Sequence, residues 1–273
     1  MKITGVCGVY FSPAGTTRTV VAAAAEAAAE ALGVPVRLVS LNLPAAREKV
    51  LDFPAETLVF VGAPTYAGRL PNKISPDLRR ILRGNGTPAA AIVTYGNRAY
   101  ENALAELSAL LAENGFQPAA GAACVCRHSS ARALAVGRPN ENDLDEVRAF
   151  ARKAALRVRD TGHIVPPAVP GEANSAYYVP KGTSGKPAKF LRVKPQTDPE
   201  KCTGCGKCAE LCVMGSIDRE NPALVPGICI KCQACVLGCP AGAKFFDDAD
   251  YLSHQKMLEQ NFAEPAKPNE FFL

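Results

Sequence analysis

The sequence predicts an α/β chain in which a parallel sheet, covered by helices on both faces, precedes a small cysteine-rich metal module. Two observations carry this. Over residues 1–160, β-branched apolar runs alternate with helical patterns, an order that a parallel sheet with crossover helices accommodates compactly. Eight of the 11 cysteines then fall between Cys202 and Cys239, in two runs of identical spacing. At 273 residues the chain holds one substantial domain and one small one.

Ile3 to Tyr10 reads as the first strand, Ser12-Pro13-Ala14-Gly15-Thr16-Thr17-Arg18 as a small-residue loop, and the following Ala/Glu stretch as a long helix to about Leu32. Val34 to Leu41, Leu58 to Gly62, Ala89 to Tyr95 and Ala119 to Cys126 read as the next four strands. Helical patterns separate them at Ile74 to Leu82, Glu101 to Glu113 and Asp143 to Asp160, with a shorter one near Ala45 to Val50. Cys7, Cys124 and Cys126 lie in strands outside the two runs, the last pair facing one side of a sheet, so all three are expected to be buried apolar filler. No apolar run reaches membrane-spanning length, since Glu26 and Glu30 break the Ala-rich stretch. The first residues read as a strand and not a signal peptide, and the expected location is the cytoplasm, where thiols stay reduced. A net charge of +5 gives no nucleic-acid stripe.

The loop after the first strand sets what binds. Ser12, Thr16 and Thr17 offer hydroxyls, Gly15 allows close backbone approach, and the next helix aims its amides and positive dipole end at the same point, which suits a phosphate. Arg18 stands where a triphosphate loop needs Gly-Lys-Ser/Thr. A dinucleotide fold needs GxGxxG and an acidic residue closing the second strand, where this chain has Ser40-Leu41-Asn42. After the third strand comes Ala63-Pro64-Thr65-Tyr66-Ala67-Gly68-Arg69-Leu70-Pro71, and after the fourth Thr94-Tyr95-Gly96-Asn97-Arg98-Ala99-Tyr100.

With these three loops, residues 1 to about 160 resemble the flavodoxins. The resemblance implies a five-stranded parallel sheet of order 2-1-3-4-5 with FMN at its topological switch point. It assigns the phosphate to Ser12, Ala14, Gly15, Thr16 and Thr17. It assigns the ring to Pro64, Thr65, Tyr66, Ala67 and Gly68 on one loop and to Tyr95, Gly96, Asn97, Arg98 and Tyr100 on the other, with Tyr66 or Tyr100 stacking because the chain has no tryptophan. Backbone groups near Gly68 and Gly96–Asn97 would set which redox state is favoured. Arg98 is either a counter-charge to reduced flavin or a solvated cation. The segment Arg127 to Asn140 is over twice as long as the usual connection of about 2–6 residues. It leaves the fifth strand on the same edge and carries His128, Ser129, Ser130, Arg132 and Arg138, so it is expected to cover the ring, guide a partner or contact a small substrate.

In the cysteine runs, three thiolates spaced C-x-x-C-x-x-C wrap one face of an iron–sulfur cube, while a fourth, three residues on, points toward a second cube. On that logic Cys202, Cys205 and Cys208 share one [4Fe–4S] cluster with Cys239, and Cys229, Cys232 and Cys235 share the other with Cys212. Gly215 and Gly242 repeat at the same place after each fourth cysteine. Zinc sites commonly pair two CxxC arms per metal, a different pattern. Residues 195–246 resemble the bacterial two-cluster ferredoxins with one departure: Pro240 keeps the proline of that pattern, whereas Val213 replaces it.

The expected organisation is a flavodoxin-like FMN domain at 1–162, a proline-rich linker at 163–194, a two-cluster ferredoxin domain at 195–246, and a C-terminal helix and tail at 247–273. Asp248 is expected to cap a helix from about Ala249 to Phe262, and the tail with Phe271-Phe272-Leu273 to pack back on the first domain. Lys181, Lys186, Lys189, Arg192 and Lys194 make the linker positive, either as a solvated strap or as a docking face for an acidic redox partner. The two halves together resemble flavodoxin–ferredoxin fusions of anaerobic bacteria and archaea. A cube passes single electrons and FMN holds one or two, so the expected function is electron transfer between the clusters, FMN and a partner protein: a ferredoxin, a flavodoxin or a reductase. Two other readings stand beside it, an FMN-dependent reductase of a small organic acceptor and a redox or oxygen sensor.

Overall fold

The computed structural model describes residues 1–161 and 163–273. The first domain comprises β1 (Gly5–Tyr10), α1 (Thr16–Leu32), β2 (Val36–Ser40), a 3-10 turn (Pro44–Arg47), β3 (Leu51–Phe53), β4 (Thr57–Pro64), α2 (Ser75–Ile81), β5 (Leu82–Gly84), β6 (Thr87–Tyr95), α3 (Ala103–Glu113), β7 (Phe116–Val125) and α4 (Glu141–Thr161). The cysteine module is framed by β8 (Gln196–Thr197), α5 (Lys207–Glu210), α6 (Ala234–Leu237) and β9 (Lys244–Phe245), and the chain closes with α7 (Ala249–Phe262) and β10 (Glu270–Phe272).

Successive strand residues point to opposite faces, and here both faces are apolar. Cys7, Val9, Val59, Val61, Ala91 and Val93 enter one core with Leu78 of α2 and Leu104, Leu107 and Leu111 of α3. Val6, Tyr10, Leu58, Phe60 and Ile92 enter the other with Val20 and Val21 of α1 and Phe150 of α4. Cys124 and Cys126 share that second core, and all three non-run cysteines are buried. Burial pushes the Cys124 thiol up and that of Cys126 to about 12, which keeps both protonated.

The main sheet has the order β10-β7-β6-β4-β1-β2. The five strands from the first domain are parallel, and β10 adds antiparallel to β7 with Phe271 opposite Ala122. The sheet therefore has six strands and not five. An uncovered β7 would present a row of unpaired backbone groups, and the tail segment pairs with them while Phe271 stacks on Phe150 at 5.0 Å. A second correction concerns 45–50, where a helical turn stops at Arg47 and β3 follows, pairing in parallel with β5. Phe53 is drawn there by packing on Phe116, ring centroids 5.8 Å apart.

Residues 163–194 hold no helix or named strand, yet they are fastened to the first domain. Val169 packs on the first core, the Tyr177 hydroxyl donates to the Leu70 carbonyl at 2.7 Å, and the Tyr178 amide donates to the Ala67 carbonyl at 2.9 Å. Among the described residues no helix is long and apolar enough to cross a membrane.

Candidate functional site

The carboxyl ends of β1, β4 and β6 lie side by side in the sheet, so the three loops of interest share one edge. In the first, Ser12 is clamped by Asn42, whose side chain accepts from the Ser12 amide at 2.6 Å and donates to its carbonyl at 3.1 Å. The Ser12 hydroxyl accepts from the Arg18 amide at 2.9 Å. Gly15, with φ at 91°, is the N-cap of α1 and has no side chain to satisfy the first-turn amides. No atom lies within 4 Å of a Cβ built there, so the helix N-terminus opens onto free space of the kind an anion fills. Thr17 is turned away from it, its hydroxyl 2.7 Å from that of Thr94.

In the second loop, Tyr66, Ala67, Gly68 and Arg69 form a tight turn closed by hydrogen bonds between Tyr66 and Arg69. Positive φ at Ala67 and Gly68 matches a type I′ geometry, and a side chain at Gly68 would strike the Glu101 carboxylate. The Thr65 hydroxyl is buried with no hydrogen-bond partner among the described residues. Such a group is costly when left alone and points to a polar ligand at this loop. Tyr66 is half-buried. Burial, followed by the proximity of Cys232, Tyr251 and Cys229, pushes its pKa well up, which places its hydroxyl near the second cysteine group.

The third loop is occupied differently. Asn97, buried and with φ at 63°, donates to the Phe262 carbonyl at 2.7 Å and accepts from the Lys267 amide at 2.9 Å. Tyr100 meets Tyr95 edge-on at 5.3 Å and donates to Glu270 at 2.7 Å. Arg98 pairs with Glu101 at 2.7 Å and lies 4.0 Å from the centre of the Tyr178 ring, so it is not a solvated cation. The side chains of Asn97 and Tyr100 thus hold the C-terminal tail. Of the two tyrosines considered for stacking, Tyr66 is the one left available.

The eight run cysteines gather into two groups. Cys202, Cys205, Cys208 and Cys239 line one hollow; Cys212, Cys229, Cys232 and Cys235 line another. Among the described residues no three His, Cys, Asp or Glu side chains converge closely enough to hold a single metal ion. Four thiols around one hollow match the donor set of a cube. Backbone amides of Ser216, Lys231 and Ala243 point at the sulfurs of Cys212, Cys229 and Cys239, at 3.2, 3.4 and 3.2 Å, contacts that tune a cluster's potential.

The second hollow is docked on the first domain. Val213 is buried within the first core, where Met214, Ile230 and Cys232 pack against it. Arg47, itself buried, donates to the Val213 carbonyl at 2.7 Å and to the carbonyls of Leu41 and Asn42 at 2.7 and 2.6 Å. One guanidinium therefore ties the loop that clamps Ser12 to the residue following Cys212. Arg47 carries no motif, and the sequence places Asn42 and Thr94 only at a strand end and a loop start without giving either a role. The place of Asn42 at the end of the second strand, beside the switch point, was the available signal.

A cap completes the site. Met257 and Leu258 of α7 pack on Ala131 and Leu134 of the 127–140 segment, and the Ala133 amide donates to Glu259. The Tyr251 hydroxyl accepts from Gln233, between Cys232 and Cys235, at 2.7 Å. At its other end α7 meets Asn97. The helix thus runs from the cysteine module to the third loop.

Several solved structures are similar to this chain. Rubredoxin:oxygen oxidoreductase from the anaerobe Desulfovibrio gigas is 17% identical with a TM-score of 0.42, the alignment covering 58% of this chain and 37% of that one. A flavodoxin from the domain Archaea is 18% identical with a TM-score of 0.39, over 57% of this chain and 99% of its own. A short-chain flavodoxin associated with a non-canonical PDU bacterial microcompartment is 16% identical with a TM-score of 0.41, over 57% and 99%. No curated protein matches the chain. Residues 195–212, which contain the first cysteine run, match the family described as 4Fe-4S binding domain, so the chain carries a 4Fe–4S binding region there.

Proposed function

We propose that this chain is an electron-transfer protein in which two [4Fe–4S] clusters exchange electrons with an FMN bound on the sheet edge. The observation that carries the reading is the docking of the Cys212/Cys229/Cys232/Cys235 hollow on the first domain, through Val213 and Cys232, beside the loop that holds Ser12. Ser12, Gly15 and Thr16 would hold the phosphate, and Thr65, Tyr66, Gly68 and Gly96 the ring. When bound, FMN would supply a two-electron store fed one electron at a time by the cubes. Cys205 is exposed, which makes the Cys202/Cys205/Cys208/Cys239 cluster the outward one, facing a ferredoxin, flavodoxin or reductase partner.

The test is anaerobic reconstitution followed by rapid mixing. About eight irons per chain, four for each cube, and one FMN are expected. Flavin bleaching after cluster reduction should proceed at a rate independent of protein concentration. Iron-loaded protein that refuses FMN, or bleaching that scales with concentration, would refute the reading. The cap favours a second reading, reduction of a small organic acceptor beneath α7. Turnover of one small oxidant, lost when 127–140 is shortened while FMN stays bound, would establish it.

A further inference from the structure

His128 begins the long segment, and its ring lies against the third loop. A Cβ built on Gly96 would stand 2.4 Å from His128 Cδ2 and 2.7 Å from Cγ, so the ring fills the place of a side chain at 96. Its Nδ1 accepts from the amides of Ala131 at 2.9 Å and Ser130 at 3.2 Å, with the Ser130 hydroxyl at 3.4 Å. Among the described residues every hydrogen bond of this ring falls on Nδ1. An uncharged imidazole that accepts at Nδ1 carries its proton on Nε2. Nε2 is bonded to Cδ2, the ring atom nearest the Cβ position of Gly96, so the N–H lies beside the third loop.

The surroundings keep the ring uncharged. Burial, then His254 of α7 and Arg98 of the third loop, push its pKa down to about 4. The groups facing this region are His254, whose Nδ1 lies 2.7 Å from the Lys181 carbonyl, Arg98 with its partner Glu101, and the hydroxyls of Ser130 and Tyr251. His128 is half-buried, and its Nε2 is not among the buried side-chain atoms that lack a partner, so that N–H stays accessible.

We propose that His128 is a flavin-binding residue, its Nε2–H donated to a carbonyl or unprotonated ring nitrogen on the pyrimidine edge of FMN where that edge passes Gly96. This rests on the FMN reading above. The two amides on Nδ1 fix the tautomer and oppose a second proton, so the site offers a hydrogen bond without a full positive charge.

The experiment uses the full chain with its clusters loaded. Nitrogen-15 spectra of histidine-labelled protein should place the His128 proton on Nε2, with no titration of that ring between about pH 5 and 8, the range in which an unperturbed histidine changes charge. FMN titrated by fluorescence quenching should bind His128→Phe about five- to tenfold more weakly than wild type, the worth of one ordinary hydrogen bond. His128→Gln, whose amide reaches the same position, should recover most of that. Equal affinity in wild type and His128→Phe, a proton on Nδ1, or titration near pH 6.5 would overturn the inference while leaving the FMN reading intact. Wild-type protein that takes up no FMN would overturn both, and shows before any variant is compared. The spectra come from wild type alone, so a variant that fails to fold does not remove the test.

Discussion

Glu106 shows how one side chain fixes the geometry of the second loop. It is 2% exposed, and its carboxylate accepts from Arg69 Nε and the Leu70 amide at 2.9 Å each and from the Ser75 hydroxyl at 3.2 Å. Arg69 in turn reaches the carbonyls of Ala173 and Ser175, so the turn at Tyr66–Arg69, helix α3 and the strap meet at this carboxylate. Removing one partner of a buried ion pair leaves the other charge uncompensated. Glu106→Ala should therefore lower stability by about 3 kcal/mol, read as a reduced denaturant midpoint at unchanged slope, and should weaken FMN binding with it. Glu106→Gln keeps the shape and should cost less. None of this was legible in the sequence, where Glu106 looks like any polar residue in a helical pattern and its partner lies 37 positions away. The cysteines were legible because ligand spacing is a local property. Tyr100 was assigned to the ring on its loop position, but the hydroxyl is taken by Glu270 from the far end of the chain, and no local signal distinguishes those fates.

At the level of elements, β10 and the residues before it do more than a tail. Arg138 and Asp143 form a half-buried pair that also grips the tail: Arg138 donates to the Lys267 carbonyl at 2.5 Å, and Asn269 donates to Asp143 at 2.9 Å and to Glu146 at 2.7 Å. Burial acts to raise the pKa of Asp143, but hydrogen bonds from Arg138, the Asn140 amide and Asn269 outweigh it and hold the carboxyl below its usual value. A depressed folded-state pKa means stability that is present above the unfolded value of about 3.9 and lost as pH falls through the folded one. Amide protection at Glu270–Phe272 should accordingly drop below about pH 4, measured by hydrogen exchange, and Asp143→Asn should show the reduced protection already at neutral pH. Unchanged protection in that variant would remove Asp143 from the account. β1, β4, β6 and β7 were readable because they are buried on both faces and read as near-continuous runs of apolar and small residues. A three-residue strand such as β10 or β3 has too few residues for any period, and only its partner strand defines it.

Across the whole molecule, the two cysteine runs and the sheet domain are interdependent. Each hollow takes three thiols from one run and the fourth from the other, so on the proposed reading each cube would need both runs. The departure at Val213, unexplained in the sequence, has a physical reason in the assembled chain: its side chain is buried in the core of the first domain and its carbonyl bonds Arg47, a contact between halves that a free-standing module would not need. The cross-run pairing has a consequence that simple run-by-run binding does not share. Cys205→Ala and Cys239→Ala should each abolish the same cluster, iron falling from about eight to about four per chain, four for each cube, and their combination should lose no more. Cys205→Ala with Cys212→Ala should lose both clusters. Electron paramagnetic resonance of the reduced single variants would identify the survivor by its line shape. Different survivors in Cys205→Ala and Cys239→Ala would mean that each run closes on its own cube, and the outward and docked positions assigned above would then have to be exchanged for a different route between the halves.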